Sequence, residues 1–175
     1  MNWISLNARQ ANDAAHSDEV ALLLVQIEHP SLVAPIRLSS DNTERLSVEP
    51  ITYGTRSAWN GANPLTEPYL FVGMEIELPG DAEDAPPAAR MRFANIDPGL
   101  VPMIRSVNLQ ASVHIAVMLA SSPDTPDGVE YRDLRLIDAS YDAAAIEIVM
   151  TRRPIEDGMF PFARMTKQRF PGLFA

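Results

Sequence analysis

The 175-residue chain contains no cysteine and a single lysine, Lys167. Without cysteine it can form no disulfide framework, thiol nucleophile or zinc–thiolate site. Histidine is scarce, with three residues spread along the chain, and no two lie close enough in sequence to suggest a local metal site. His114 sits inside an apolar stretch, where a buried, hydrogen-bonded or interface role outweighs a catalytic or metal one. The chain has no HExxH, GxSxG, Walker loop or GxGxxG. It has no apolar run long enough to span a bilayer. Met1-Asn2-Trp3-Ile4-Ser5 lacks the basic and long apolar regions of a signal peptide, which predicts synthesis in the cytoplasm.

Hydrophobic residues make up 46% and charged residues 21%, as in an ordinary globular protein, and the length suits one domain with a substantial core. The net charge is −9, unevenly spread. Residues 152–175 carry Arg152, Arg153, Arg164, Lys167 and Arg169 against Glu156 and Asp157, a net of +3, which leaves −12 on the rest. An acidic body repels phosphates, so nucleic-acid binding is not expected. The same C-terminal segment holds four of the six phenylalanines, Phe160, Phe162, Phe170 and Phe174, together with Leu173. A disordered tail is normally small and polar. This one is aromatic and basic, so we expect a body over residues 1–150 and a docking arm over 151–175. Candidate contacts of the arm are Arg152, Arg153, Phe160, Phe162, Arg164, Arg169, Phe170, Leu173 and Phe174. They face either the chain's own acidic body or a neighbouring copy.

Fifteen prolines cut the chain into short pieces and disfavour a helical bundle. The segment Asn7–Asp18 predicts a short helix. Leu22–Ile27, Ala34–Leu38 and Leu46–Tyr53 predict strands. Tyr53–Glu67 reads as a loop carrying Trp59, which is either an exposed interface anchor or folded back over the sheet. Tyr69–Leu78 is the clearest strand, with Leu70, Val72, Met74, Ile76 and Leu78 on one face and Glu75 and Glu77 on the other. Arg90–Ile96 follows, with Met91 and Phe93 facing in. Asp97-Pro98 predicts a second helix start. Val113–Leu119 alternates cleanly, Val129–Ala139 slips as at a bulge, and Ile146–Met150 is the last strand. Seven or eight strands with one or two short helices predict a mainly β fold, a barrel or sandwich.

Candidate chemistry is sparse. Glu75 and Glu77 could pair as carbohydrate-cleaving carboxylates, but a solvated strand face gives the same pattern. Asp81, Glu83 and Asp84 lack the spacing of a calcium loop. We expect no catalytic, cofactor-binding or metal residues.

The chain carries Ile27-Glu28-His29-Pro30 with Pro35-Ile36-Arg37, then Ala88–Asp97, Leu119–Asp124, Tyr141-Asp142-Ala143, and Phe160-Pro161 and Phe170-Pro171-Gly172-Leu173-Phe174, in that order. In these segments it resembles a bacteriophage-related family of small tail proteins, a domain of unknown function encoded in tail-tip gene clusters of long, non-contractile-tailed phages and prophages. The resemblance implies a virion structural protein with a tube-like split β-barrel. Such a protein would form a three-fold or six-fold ring between the tail tube and the hub or tip proteins, with no membrane insertion. Without cysteine, the chain is neither the cysteine peptidase that often neighbours such proteins nor one of those that hold an iron–sulfur cluster. A tail-assembly factor absent from the particle and a carbohydrate-acting hydrolase are the competing expectations.

Overall fold

The computed structural model describes residues 4–77, 88–94, 111–128, 130–141, 145–151, 168–169 and 171–173. The fold is mainly β, as expected. One helix, α1 (Leu6–Asp13), precedes strands β1 (Ala21–Glu28), β2 (Ile36–Ser39), β3 (Glu44–Val48), β4 (Ile51–Thr55), β5 (Tyr69–Phe71) and β6 (Gly73–Glu77). Then come β7 (Ala88–Ala94), β8 (Ser112–Leu119), β9 (Glu130–Tyr141) and β10 (Ala145–Thr151). The expected helix after Asp97 and the acidic connection at 79–87 lie outside the described residues. Among the described residues, no helix is long and apolar enough to cross a membrane.

All ten strands join one sheet in the order β3-β4-β5-β2-β1-β8-β9-β10-β7-β6. Every pairing is antiparallel except β2 with β5. β5 is third in this order and β6 is last, yet Val72 alone separates them in the chain. The extended stretch Tyr69–Glu77 therefore pairs with β2 and β4 at its start and with β7 at its end. The far edge of the sheet must return to within one residue of its third strand. That connectivity curls the sheet into a half-barrel.

The curl gathers one face of seven strands into a single core. Val25 and Ile27 of β1, Ile36 and Leu38 of β2, and Val72 meet Met91 and Phe93 of β7 there. Val113 and Ile115 of β8, Leu134 and Leu136 of β9, and Ile146, Ile148 and Met150 of β10 complete it, with Met74 and Ile76 of β6 packed against it. The alternation read from Val72, Met74 and Ile76 is thus the inward face, and Glu75 and Glu77 are exposed.

Two predicted strands are each divided. Leu46–Tyr53 is a hairpin, β3 and β4, because Pro50 in the connection offers no N–H to a ladder. Tyr69–Leu78 is two strands, because its partners change at Val72, whose N–H donates to the Ser39 carbonyl at 2.9 Å. These divisions are why ten strands stand where seven or eight were expected. At Gly54 of β4 a Cβ would lie 2.0 Å from the Tyr69 carbonyl oxygen, so only glycine lets β4 approach β5 this closely. The slip expected in β9 is present as register shifts against both β8 and β10.

The helix is shorter than expected, Leu6–Asp13 rather than Asn7–Asp18. Ser5 caps it, its Oγ accepting from Ala8 N at 3.1 Å. Ala14 turns to extended backbone and ends it. Ser5 N and Oγ both donate to the Asp127 carboxylate, at 2.7 and 2.9 Å, and this ties α1 to the loop after β8.

Candidate functional site

The central strands β1 and β8 are buried on both faces. Behind the main core, Leu22 and Leu24 of β1, Ala116 and Met118 of β8 and Tyr69 of β5 pack with Trp59 and Ala62. Trp59 is 3% exposed. The alternative of an exposed anchor is corrected: residues 56–68 fold back over the sheet and turn the indole inward. Its ring lies 5.9 Å from that of Tyr69 at a 40° tilt.

Polar bonds fix this loop. Ser57 Oγ donates to the Pro123 carbonyl at 2.6 Å, and Asp124 accepts from Ala58 N at 2.6 Å. Trp59 Nε1 donates to Glu130 Oε1 at 3.0 Å, and Arg132 donates to the same carboxylate from Nε at 3.0 Å. Burial alone would raise the Glu130 pKa, but the hydrogen bonds from Arg132 and Trp59 outweigh it and hold the carboxyl below its usual range. Tyr69 Oη lies 2.9 Å from the Trp59 carbonyl and 3.1 Å from Gln26 Oε1, and Gln26 Nε2 donates to Glu28 at 2.8 Å. His114, expected to be buried and hydrogen-bonded, is so: its Nδ1 accepts from Asp133 N at 3.3 Å, and its Nε2 lies 3.9 Å from Glu28. Arg37 pairs with Glu67 at 3.3 Å, bringing the end of the loop to β2.

This network has acid, base and phenol within reach of one another, but their hydrogen-bonding capacity is turned on each other and on the backbone. It is built to hold residues 56–68 in place. Burial pushes the Tyr69 phenol from 10.0 up to about 12, partly offset by Arg37. In the unfolded chain the phenol ionises near 10, so the folded state holds the proton more tightly. Its contribution to stability is complete below pH 10 and is lost as pH rises through about 12. We predict that Tyr69→Phe removes this alkaline loss, so its stability curve is flatter than the parent's above pH 10. At neutral pH it is about 1 kcal/mol less stable, through its lost hydrogen bond. Urea unfolding at stepped pH measures both.

A second region is apolar and open. Among the described residues β3 pairs only with β4 and forms one edge of the sheet. In the β3–β4 hairpin Val48 is 67%, Ile51 65% and Tyr53 42% exposed, and Phe71 of β5 is 38% exposed. Val48 stands opposite Ile51, and Tyr53 lies one position along from the Gly54–Leu70 pair, level with Phe71. The four side chains form one strip on the outer face, beyond the loop that covers Tyr69. Sequence reading missed them, because alternating apolar residues look the same on an inner or an outer face. The one available signal was Pro50, which splits the run and turns the second half into a wing.

Glu75, Glu77 and Glu147 line an open cleft of about 260 Å³, in which Arg90 and Arg92 stand between the carboxylates. Glu75 stands opposite Arg92 and Glu77 opposite Arg90, in an exposed ladder of alternating charge. Among the described residues, no group of three or more His, Asp or Glu is arranged to hold a metal ion. Of the arm, Arg169 is exposed, as are Gln168, Pro171 and Gly172, and Pro171–Leu173 form a short 3-10 turn. Arg152, Arg153, Phe160, Phe162, Arg164, Phe170 and Phe174 lie outside the described residues, as do Asp81, Glu83 and Asp84.

The fold and its surfaces define a curled-sheet protein with a clamped outer loop and an apolar wing. No protein-family model matches the sequence, and neither does any curated protein.

Proposed function

We propose that the chain is a structural protein of a bacteriophage tail tip that works by self-association. It forms a three-fold or six-fold ring, docks on tail-tube and hub proteins, and needs neither cofactor nor catalytic residue. It is made in the host cytoplasm and resides in the virion. The observation that carries this reading is the exposed apolar strip Val48–Ile51–Tyr53–Phe71 on the wing at the sheet's edge. Such a patch beside an edge strand is a surface for protein contact. Two further features agree with it. The strand shared between β5 and β6, with the β3–β4 hairpin standing off it, suits a tube-like split barrel. The +3 arm beside a −12 body suits contact between copies. The resemblance of the sequence to tail-tip proteins supplies the setting.

The test is assembly in solution and in the particle. The purified chain is expected to sediment as a closed oligomer and to image as a ring. Ile51→Asp and Tyr53→Asp should each weaken assembly by at least about 30-fold, the effect of losing one contact worth about 2 kcal/mol. Their melting temperatures should match the parent's, because both side chains are exposed. A parent that stays monomeric at high concentration and is absent from purified virions overturns the reading. A parent needed for tail formation yet absent from the particle would mark an assembly factor.

A further inference from the structure

A cleft of about 250 Å³ opens beneath α1. Its apolar lining includes Ala8 and Ala11 of the helix and Ala21, Val117 and Leu119 of β1 and β8. Ala21, Val117 and Leu119 share alternation with Val25 and Ile115, so the cleft is the open end of the inner face, partly covered by α1. Its volume falls below that of ordinary small-molecule pockets, about 300–1,000 Å³, and suits one or two large side chains.

The surroundings are acidic. Glu19 and Asp127 stand in the lining, and Asp13, Asp18 and Asp124 lie on the same segments, against Arg9 of α1. None of the five carboxylates is ion-paired among the described residues. Hydrogen bonds from Ser121 lower the Glu19 pKa, which keeps it charged. An occupant of matching chemistry is aromatic and cationic. Residues 160–175 supply four phenylalanines with Arg164, Lys167 and Arg169 and no Asp or Glu.

The register places the arm's origin and the cleft at opposite ends of the sheet, an arrangement that suits head-to-tail contact between copies. Thr151, after which the arm begins, stands opposite Arg135, Arg135 opposite Ser112, and Ser112 opposite Glu28. The cleft lies at the other end of the same strands, where Ala21 stands opposite Leu119. The eight residues of β8 put roughly 23 Å between the arm's origin and the cleft. The arm leaves one end of the sheet and the cleft opens at the other, and the described arm residues Gln168, Arg169, Pro171 and Gly172 are exposed on their own chain. We infer that the cleft beneath α1 receives a phenylalanine of the 160–175 arm from a second copy of this chain, in a head-to-tail contact. Such a contact is heterologous and closes into a ring where its rotation permits. The inference rests on the self-association proposed above and adds to the wing a second contact, between arm and cleft.

Full-length variants test it. Ala11→Trp fills the cleft, and Phe162→Ser with Phe170→Ser disables the arm. Each alone should weaken assembly by at least about 30-fold. Mixed together in an Ile51→Asp background, which removes the wing contact, they should form a 1:1 dimer and nothing larger, because the cleft-filled copy still offers an arm and the arm-disabled copy still offers a cleft. Glu19→Arg, a surface change, should weaken assembly in the same direction if Ala11→Trp does not fold. If the parent assembles and both cleft variants assemble equally well, the inference fails while self-association stands. If the parent is monomeric, self-association fails, and a fluorescent peptide of residues 159–175 titrated onto the full-length chain still reads the cleft. Binding abolished by Ala11→Trp or Glu19→Arg then upholds the arm–cleft contact, and no binding overturns it.

Discussion

Trp59→Ala is expected to lower the unfolding free energy by about 3–5 kcal/mol, a large part of the stability of a domain this size. The indole is 3% exposed and fills the space between Tyr69 and the outer faces of β1 and β8. Few atoms are positioned to collapse into the void, because the loop that carries Trp59 is pinned on both sides, before it by Ser57 to Pro123 and Ala58 to Asp124 and after it by Glu67 to Arg37. The truncation also removes a hydrogen bond from the Glu130 carboxylate. Trp59→Phe separates the two effects. It keeps most of the apolar body and loses only the N–H, so about 1–2 kcal/mol is expected, Arg132 still holding Glu130. Glu130 adds a pH signature. Its carboxyl pKa is lowered in the fold, so its contribution is present above the unfolded value near 4.5 and is lost as pH falls through the lower folded value. Trp59→Phe should shrink that acid-side loss. Denaturant unfolding checks both variants, and proteolysis within residues 56–68 reports whether the loop has lifted. A Trp59→Ala protein within 1 kcal/mol of the parent would mean that the indole is not the keystone of the outer face.

How much of this could be read in the sequence follows from which interactions are local. The alternation in Tyr69–Leu78, Arg90–Ile96 and Val113–Leu119 places Val72, Met74, Ile76, Met91, Phe93, Val113 and Ile115 correctly on the inner face, because strand periodicity is a property of the residue and its neighbours. Even the slip in β9 is legible, since a bulge shifts the alternation where it occurs. Partner exchange is not legible. Nothing at Val72 says that the residues before it pair with β2 and β4 and those after it with β7. That depends on β2, about thirty residues earlier in the chain, as well as on β4 and β7. The wing is hidden for a related reason: Val48, Ile51 and Tyr53 have core composition, and they are exposed because, among the described residues, no further strand covers that end of the sheet. The facing of Trp59 is not legible either, because the polar partners that turn it inward, Pro123, Asp124 and Glu130, belong to a loop and strand more than sixty residues later. The cleft beneath α1 needs three distant segments at once, and no local pattern announces it. The aromatic, basic arm was legible as composition, and the strand register adds the place from which it departs.

Val72→Asp should leave no stably folded protein at neutral pH, whereas Phe71→Asp, one residue earlier, should change stability by less than about 1 kcal/mol. The two positions differ in facing. Val72 is 4% exposed and packs in the main core, where an unpaired carboxylate would meet apolar side chains and lose its hydration, at several kcal/mol. Phe71 is 38% exposed on the outer wing, where water reaches an aspartate. Val72 is also the joint of the curl. Its N–H bonds Ser39 at the end of β2, and the next residue begins the pairing with β7, so disturbing it releases β6 and with it one side of the core. Val72→Ala tests the packing alone. It deletes two methyl groups and leaves the N–H in place, so roughly 2 kcal/mol is expected from lost burial and the residual void. Acid should partly rescue Val72→Asp, because protonation removes the buried charge, and should do nothing for Val72→Ala. Circular dichroism with denaturant unfolding at neutral and mildly acidic pH reads all three. If Phe71→Asp unfolds the chain as completely as Val72→Asp, the facing of the Tyr69–Glu77 stretch is wrong. The continuous strand that bends the sheet back on itself would then have to be redrawn. If instead Phe71→Asp folds normally and fails to assemble, a single residue step separates what holds the half-barrel closed from what the half-barrel presents to its neighbours.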